Sequence, residues 1–191
     1  MKVIAFNGSA RKDGNTAILI KAVFKELEKE GLKTELYQLA GRKIQGCIAC
    51  YKCFSAKNRQ CAVTDDVVNE CIAKMDEADA IILASPTYFA GCSAQIKALI
   101  DRAGLVNRAN DDMFKRKVGA AVVSVRRAGA IAAFDTINHF FTIGQMIIVG
   151  SSYWNIGMGR EIGDVEKDKE GLATMETLGK NMAWLLKKIN G

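Results

Sequence analysis

Proline and histidine are almost missing from this chain, which has one of each, Pro86 and His139. So little proline argues against a polyproline spacer or a proline-rich disordered tract. A lone histidine leaves no multi-histidine metal site, and no Ser-His-Asp arrangement is evident around it. His139 itself falls inside an apolar helical pattern, where a structural role is expected. Long hydrophobic runs are absent as well. No stretch approaches the ~20 apolar residues that span a bilayer, and the opening MKVIAFNGSA breaks into a polar glycine loop too early for a signal-peptide core. The expectation is a cytoplasmic protein with no membrane partner. A nucleic-acid role has no support, because neither a reader motif nor a long basic helix accompanies the net charge of +6. Acidic residues form the last absence. None occurs from Leu36 to Thr64, a stretch that holds Arg42, Lys43, Lys52, Lys57 and Arg59.

With 49% apolar and 25% charged residues over 191 positions, the chain has enough to bury one full core. Residues 1–191 are expected to form a single domain. Four of the six cysteines crowd into one segment, GCIACYKCFSAKNRQC, as Cys47, Cys50, Cys53 and Cys61. Two successive two-residue gaps let three thiolates converge from one looped segment, and a fourth arrives after a short excursion. That pattern suits an iron–sulfur cluster, which is held by four cysteine thiolates. A redox disulfide set, plain thiols and a zinc site remain alternatives, although structural zinc more often uses two separated C-x-x-C knuckles. The basic residues around the cysteines would offset the charge of a thiolate-ligated cluster or steer an acidic protein partner, or simply form a solvated loop. Cys71 and Cys92 lie outside the run and read as small buried residues. The pairs Asp65–Asp66 and Asp111–Asp112 read as caps or solvated turns.

Periodicity predicts alternating strands and helices: strands at Lys2–Asn7, Lys33–Leu39, Ala80–Ser85, Lys117–Val125 and Met146–Gly150, and helices at Asn15–Glu30, Asp66–Met75, Ala94–Leu105, Ala130–Thr142 and Lys167–Ile189. This is an α/β pattern, a parallel sheet covered on both faces. Five strands with a ligand-type loop after the first predict a flavodoxin-like three-layer fold of strand order 2-1-3-4-5. Ligands there bind at the carboxyl ends of the strands, where the order reverses.

Three loops fall at those ends. GSARKDGNT after the first strand runs straight into a helix N-terminus, whose free N–H groups favour an anion. Ser9, Asn15 and Thr16 add polar donors, and Arg11 a forked cation suited to phosphate oxygens. The loop is neither G-x-x-x-x-G-K-[ST] nor G-x-G-x-x-G, so a nucleoside triphosphate or a Rossmann dinucleotide is not its natural ligand. An ordinary turn capped by Asp13 or Asn15 is the alternative. SPTYFAG after the third strand offers Pro86, Thr87, Tyr88 and Phe89 as a surface for a planar ring, with Gly91 allowing close approach. The same aromatics would equally fill a core or a subunit contact. SVRRAGA places Arg126 and Arg127 at a strand end, where either can meet a ring carbonyl or a phosphate, or equally lie on the surface.

Taken in order, GSARKDGNT, GCIACYKCF…C followed by Asp65 and Asp66, SPTYFAG…KALIDR and the closing amphipathic helix resemble the iron–sulfur flavoproteins, a branch of the NADPH-dependent FMN reductase group. The resemblance covers essentially the whole chain. It implies FMN, with its phosphate on Ser9, Arg11, Asn15 and Thr16 and its isoalloxazine against Pro86, Thr87, Tyr88 and Phe89. It implies a [4Fe–4S] cluster on Cys47, Cys50, Cys53 and Cys61, near a flavin of another subunit in a homodimer or homotetramer. The activity implied is a flavin-dependent oxidoreductase that moves electrons from NAD(P)H or an acidic carrier such as ferredoxin to an acceptor. A cluster-free NADPH-dependent FMN or quinone reductase, and an FMN-binding carrier with no substrate of its own, are the alternatives.

Overall fold

A computed structural model describes residues 1–190. The strands are β1 (Lys2–Asn7), β2 (Lys33–Gln38), β3 (Ala80–Pro86), β4 (Val118–Val125), β5 (Ile147–Ile148) and β6 (Ile156–Met158). The helices are α1 (Asn15–Lys29), α2 (Lys52–Ala56), α3 (Val68–Glu77), α4 (Ala94–Ala109), α5 (Ala130–Ile143) and α6 (Lys169–Asn190), with a 3-10 turn at Asp164–Lys167. The sheet is parallel with order β2-β1-β3-β4-β5, and β6 pairs with β4 outside that path. The expected flavodoxin-like order is present.

Side chains alternate across the sheet and feed two cores. Ile4, Phe6, Ile81, Leu83, Ala121 and Val123 face one side with α3, α4 and α5. Val3, Ala5, Ile82, Ala84, Ala120 and Val122 face the other with α1 and α6. Burial on both faces explains why β3 and β4 read as unbroken apolar runs. At Gly119 a Cβ would stand 2.6 Å from the Phe141 ring, so the missing side chain lets α5 lie close to β4.

The edge beyond β4 departs from expectation. The strand predicted over Met146–Gly150 shrinks to two residues, and the pairing resumes only at β6, which the sequence pattern did not reveal. Between them the ladder is completed by Asn155, 3% exposed, whose amide donates to the Ala121 carbonyl at 3.0 Å. The Asn155 carbonyl accepts from the Val123 N–H at 2.9 Å. This detour carries the chain back to the carboxyl end of β4, where Gly159 N–H donates to the Val125 carbonyl at 2.8 Å. The helix predicted from Asp66 starts at Val68, because the Asp66 carboxylate turns under the preceding loop and accepts from the Val68 N–H at 3.1 Å. No helix among the described residues is long and apolar enough to cross a membrane.

Candidate functional site

The carboxyl ends of β1, β3 and β4 enclose a cleft of about 190 Å³. Ser9, Arg11, Asn15, Thr16, Pro86, Thr87, Tyr88 and Arg126 all border it, joined by Ser124, Val125, Gly159 and Arg160. Three of these are arginines and none is acidic. Eight of the ten residues singled out from the sequence thus come together. Phe89 and Gly91 lie outside the lining.

The β1–α1 loop is shaped by close backbone approach. Gly8 donates its N–H to the Ala84 carbonyl at 2.8 Å, and a Cβ there would meet the Ile96 side chain at 2.3 Å. Neither Asp13 nor Asn15 caps α1. Gly14 occupies the N-cap with no side chain to offer, so the first N–H groups of the helix keep the positive end of its dipole open. Ser9 Oγ accepts from the Arg11 N–H at 3.1 Å, while Arg11 donates to the Arg160 carbonyl at 3.1 Å. Thr16 and Ser124 hydroxyls lie 2.7 Å apart and tie the loop to β4. The Asn15 side chain is committed elsewhere. It donates to the Glu161 carbonyl at 2.9 Å and accepts from the Gly163 N–H at 3.0 Å, strapping the segment after β6 onto α1. This cationic, uncapped pocket fits a phosphomonoester in donor chemistry.

Beside it, Tyr88 and Gly91 exchange backbone hydrogen bonds of 2.9 and 3.0 Å across a tight turn. Phe89 and Ala90 occupy its centre at φ 48 and 56, both left-handed, a conformation that favours glycine. The turn holds Phe89 fully in solvent. Ser124, Gly159 and Arg160 were missed by sequence reasoning. Ser124 looks like core of a buried strand, and the other two reach the cleft only through the unforeseen β6. The pair of glycines in GMGR, Gly157 and Gly159, was the available signal.

A second, smaller hollow shares no residue with the first. It is bordered by all four clustered cysteines, with Ile48, Tyr51, Ala62, Arg102, Leu105 and Val106. Left-handed backbone at Ala49, Tyr51, Lys57 and Arg59 bends the loop around it. Cys47 and Cys50 are exposed, Cys53 buried and Cys61 between. Burial raises the pKa of the Cys53 thiol. Among the described residues no three His, Cys, Asp or Glu groups stand close enough to hold a metal ion as they are. Four thiols around one hollow nevertheless match, as a donor set, what a four-thiolate cluster needs.

Cys61 is the most firmly held. Its N–H donates to Asn69 Oδ1 at 2.7 Å, and Asn69 Nδ2 donates back to its carbonyl at 2.9 Å. Below it lies the Arg102–Asp66 ion pair, with both side chains fully buried. Of the two readings of Asp66, this corrects the solvated one: its carboxylate does accept from the Val68 N–H at the start of α3, as a capping acid would, but it is buried, accepts from the Gln45 N–H as well and is paired with Arg102. Arg102 also donates to Cys61 Sγ at 3.3 Å. Burial opposes its charge, but the hydrogen bonds it donates to Asp66 and Cys61 outweigh this and raise its pKa. Arg102 was overlooked in KALIDR because its position gives no sign of complete burial.

The basic stretch is partly neutralised. Lys43 pairs with Asp65, Arg59 with Asp76, and Arg42 lies 5.0 Å from the Tyr37 ring centre. Lys52 and Lys57 form no ion pair among the described residues. Cys71 is buried, which pushes its thiol up to about 12. Cys92 is only half-buried, and its pKa too is raised by burial. His139 is exposed on α5, away from both hollows.

Comparison with known proteins agrees with these features. The model of the NADPH-dependent FMN reductase family matches residues 1–161. An iron–sulfur flavoprotein of Methanocaldococcus jannaschii is 39% identical, with 99% of each chain covered. One from Methanosarcina thermophila is 32% identical, with 99% of this chain and 97% of that one covered. Among solved structures, an NAD(P)H:quinone oxidoreductase from Methanothermobacter marburgensis superposes with a TM-score of 0.70 over 95% of this chain and 98% of that one. At 15% identity it supports the fold alone.

Proposed function

The chain belongs to the NADPH-dependent FMN reductase family, within it to the iron–sulfur flavoproteins, and we propose that it transfers electrons from NAD(P)H or an acidic carrier such as ferredoxin to an acceptor through FMN and a [4Fe–4S] cluster. As a family member it is a flavin-dependent oxidoreductase. One observation carries the cofactor assignment: a cleft with an uncapped helix N-terminus, three arginines and no acid lies at the switch point of the sheet. Ser9, Arg11, Thr16 and the backbone at Asn15 would hold the phosphate. Pro86, Thr87 and Tyr88 would border the ring, with Gly91 shaping the turn behind them and Arg126 reaching a ring carbonyl. Bound FMN exchanges electrons in pairs with a nicotinamide and singly with a cluster. Cys47, Cys50, Cys53 and Cys61 would ligate that cluster.

The whole chain would act as one FMN-binding domain in the cytoplasm. The absence of any shared lining residue between the cleft and the cysteine hollow favours electron passage between subunits of a homodimer or homotetramer. The wholly exposed ring of Phe89 beside the cleft supports the same assembly, closing over the flavin of a neighbouring copy. A monomer at micromolar concentration with FMN bound would refute it, and sedimentation velocity reads this directly.

The visible spectrum of protein purified without oxygen, followed by NAD(P)H oxidation with an added acceptor, tests the whole reading. Flavin and cluster absorption together with turnover is the expected result. Flavin absorption without turnover under either donor would instead indicate a carrier module.

A further inference from the structure

Arg102 is a fully buried cation whose hydrogen bonds converge on the cysteine loop. Its Nε donates to Cys61 Sγ at 3.3 Å, one terminal nitrogen to the Val63 carbonyl at 2.7 Å, and the other to the Gln45 carbonyl at 3.3 Å and to Asp66. Gln45 and Val63 bracket the cysteine run on either side. One guanidinium therefore pins both ends of the loop to α4 and touches the sulfur of its last cysteine. A buried ion pair is weak support for stability by itself, since desolvating both charges is costly. A hydrophobic pair would close the base of this loop without aiming a donor at sulfur.

We propose that Arg102 is a positioning residue for the cluster: it fixes Cys61 at the loop base and raises the reduction potential through its N–H bond to that sulfur. The inference rests on the cluster reading above. Reduction adds negative charge to the cluster sulfurs, so a cationic donor hydrogen-bonded to one of them stabilises the reduced state more than the oxidised one. Asp66 fixes the direction of the guanidinium, and Leu105 and Val106 on the same helix close the apolar side of the hollow. A role confined to loop packing would leave the potential unmoved.

The test uses full-length protein reconstituted with iron and sulfide under anaerobic conditions. Arg102→Lys keeps the charge opposite Asp66 but loses the fork. The double change Arg102→Gln with Asp66→Asn removes both charges together and leaves neither stranded. FMN content serves as the fold control. In an EPR-monitored redox titration each variant is expected to lose about tenfold in preference for the reduced form, which is about 59 mV for one electron. Each should also surrender iron to a chelator several-fold faster. A wild-type potential and wild-type chelator kinetics in both variants would overturn the proposal while leaving the cluster reading intact. Wild-type protein that takes up no iron and sulfide would overturn both. If neither variant binds FMN, Arg102 serves the fold as a whole and the local role at Cys61 is wrong.

Discussion

Replacing Arg11 with alanine separates phosphate recognition from ring recognition. Arg11 borders the cleft beside the uncapped start of α1 and faces no carboxylate there. A hydrogen bond to a charged group contributes roughly 1.5–3 kcal/mol. Arg11 is exposed, so the lower half of that range applies, and Arg11→Ala should weaken FMN binding by about ten- to fortyfold. Riboflavin, which has the same ring and no phosphate, should bind wild type and variant alike within about twofold. Arg11→Lys should fall between, because it keeps the charge and loses the fork. Raising the salt from millimolar to half-molar should narrow the gap between FMN and riboflavin, since exposed charges are screened within a few ångströms at such ionic strength. Quenching of flavin fluorescence on addition to apo-protein gives all the constants. Equal losses for FMN and riboflavin would mean that Arg11 acts on the loop, through its bond to the Arg160 carbonyl, and not on a phosphate. No loss for either would remove Arg11 from the site.

Single serine substitutions at Cys47, Cys50, Cys53 or Cys61 should each abolish or destabilise iron binding while FMN stays bound, since the cleft and the cysteine hollow share no residue; iron and sulfide analysis of Cys71→Ser and Cys92→Ser should match wild type. At pH 8 iodoacetamide should label Cys47 and Cys50 in the metal-free native protein but spare Cys71, and mass spectrometry that finds Cys71 modified as fast as the others would contradict its burial. The same thiol ionises near its ordinary value when unfolded and near 12 when folded, so its contribution to stability is complete below about pH 9 and is lost as pH rises toward 12. Denaturant melts should show a loss of up to about 4 kcal/mol across that window, smaller in Cys71→Ser. Gly119→Ala puts a Cβ 2.6 Å from the Phe141 ring and should cost about 1–3 kcal/mol, read as a lower Tm with little change in FMN affinity.

Legibility in the sequence followed the range of the interaction. The sheet order and most of the cleft were readable, because unbroken apolar runs mark β3 and β4 and a glycine loop that opens straight into a helix marks the end of the sheet where the cleft lies. These are local signals, carried by neighbours in the chain. The edge after β4 was not readable. The chain there leaves the sheet and returns, and what holds it is a side chain, Asn155, standing in for backbone pairing. An asparagine in SSYWN looks like any loop asparagine until Ala121 is opposite it. Arg160 and Gly159 were lost with β6, although they complete the same cleft as Arg11.

Asp66 and Arg102 failed for a related reason. A charged residue is normally solvated, so an acid after a cysteine loop reads as a cap and an arginine near a helix end as surface. Only their meeting across 36 residues makes burial possible, because each then supplies the counter-charge that the other needs when taken out of water. Phe89 is the opposite case. An aromatic beside a flavin-type loop reads as a wall of the pocket, yet the left-handed backbone at Phe89 and Ala90 turns the ring into solvent. The strain is local, and none of the described residues covers the ring. A conformation that costs about 1–3 kcal/mol and exposes a large apolar surface makes physical sense when a contact outside the chain offsets it, which is why the exposed ring is an argument for the proposed assembly and not for the fold.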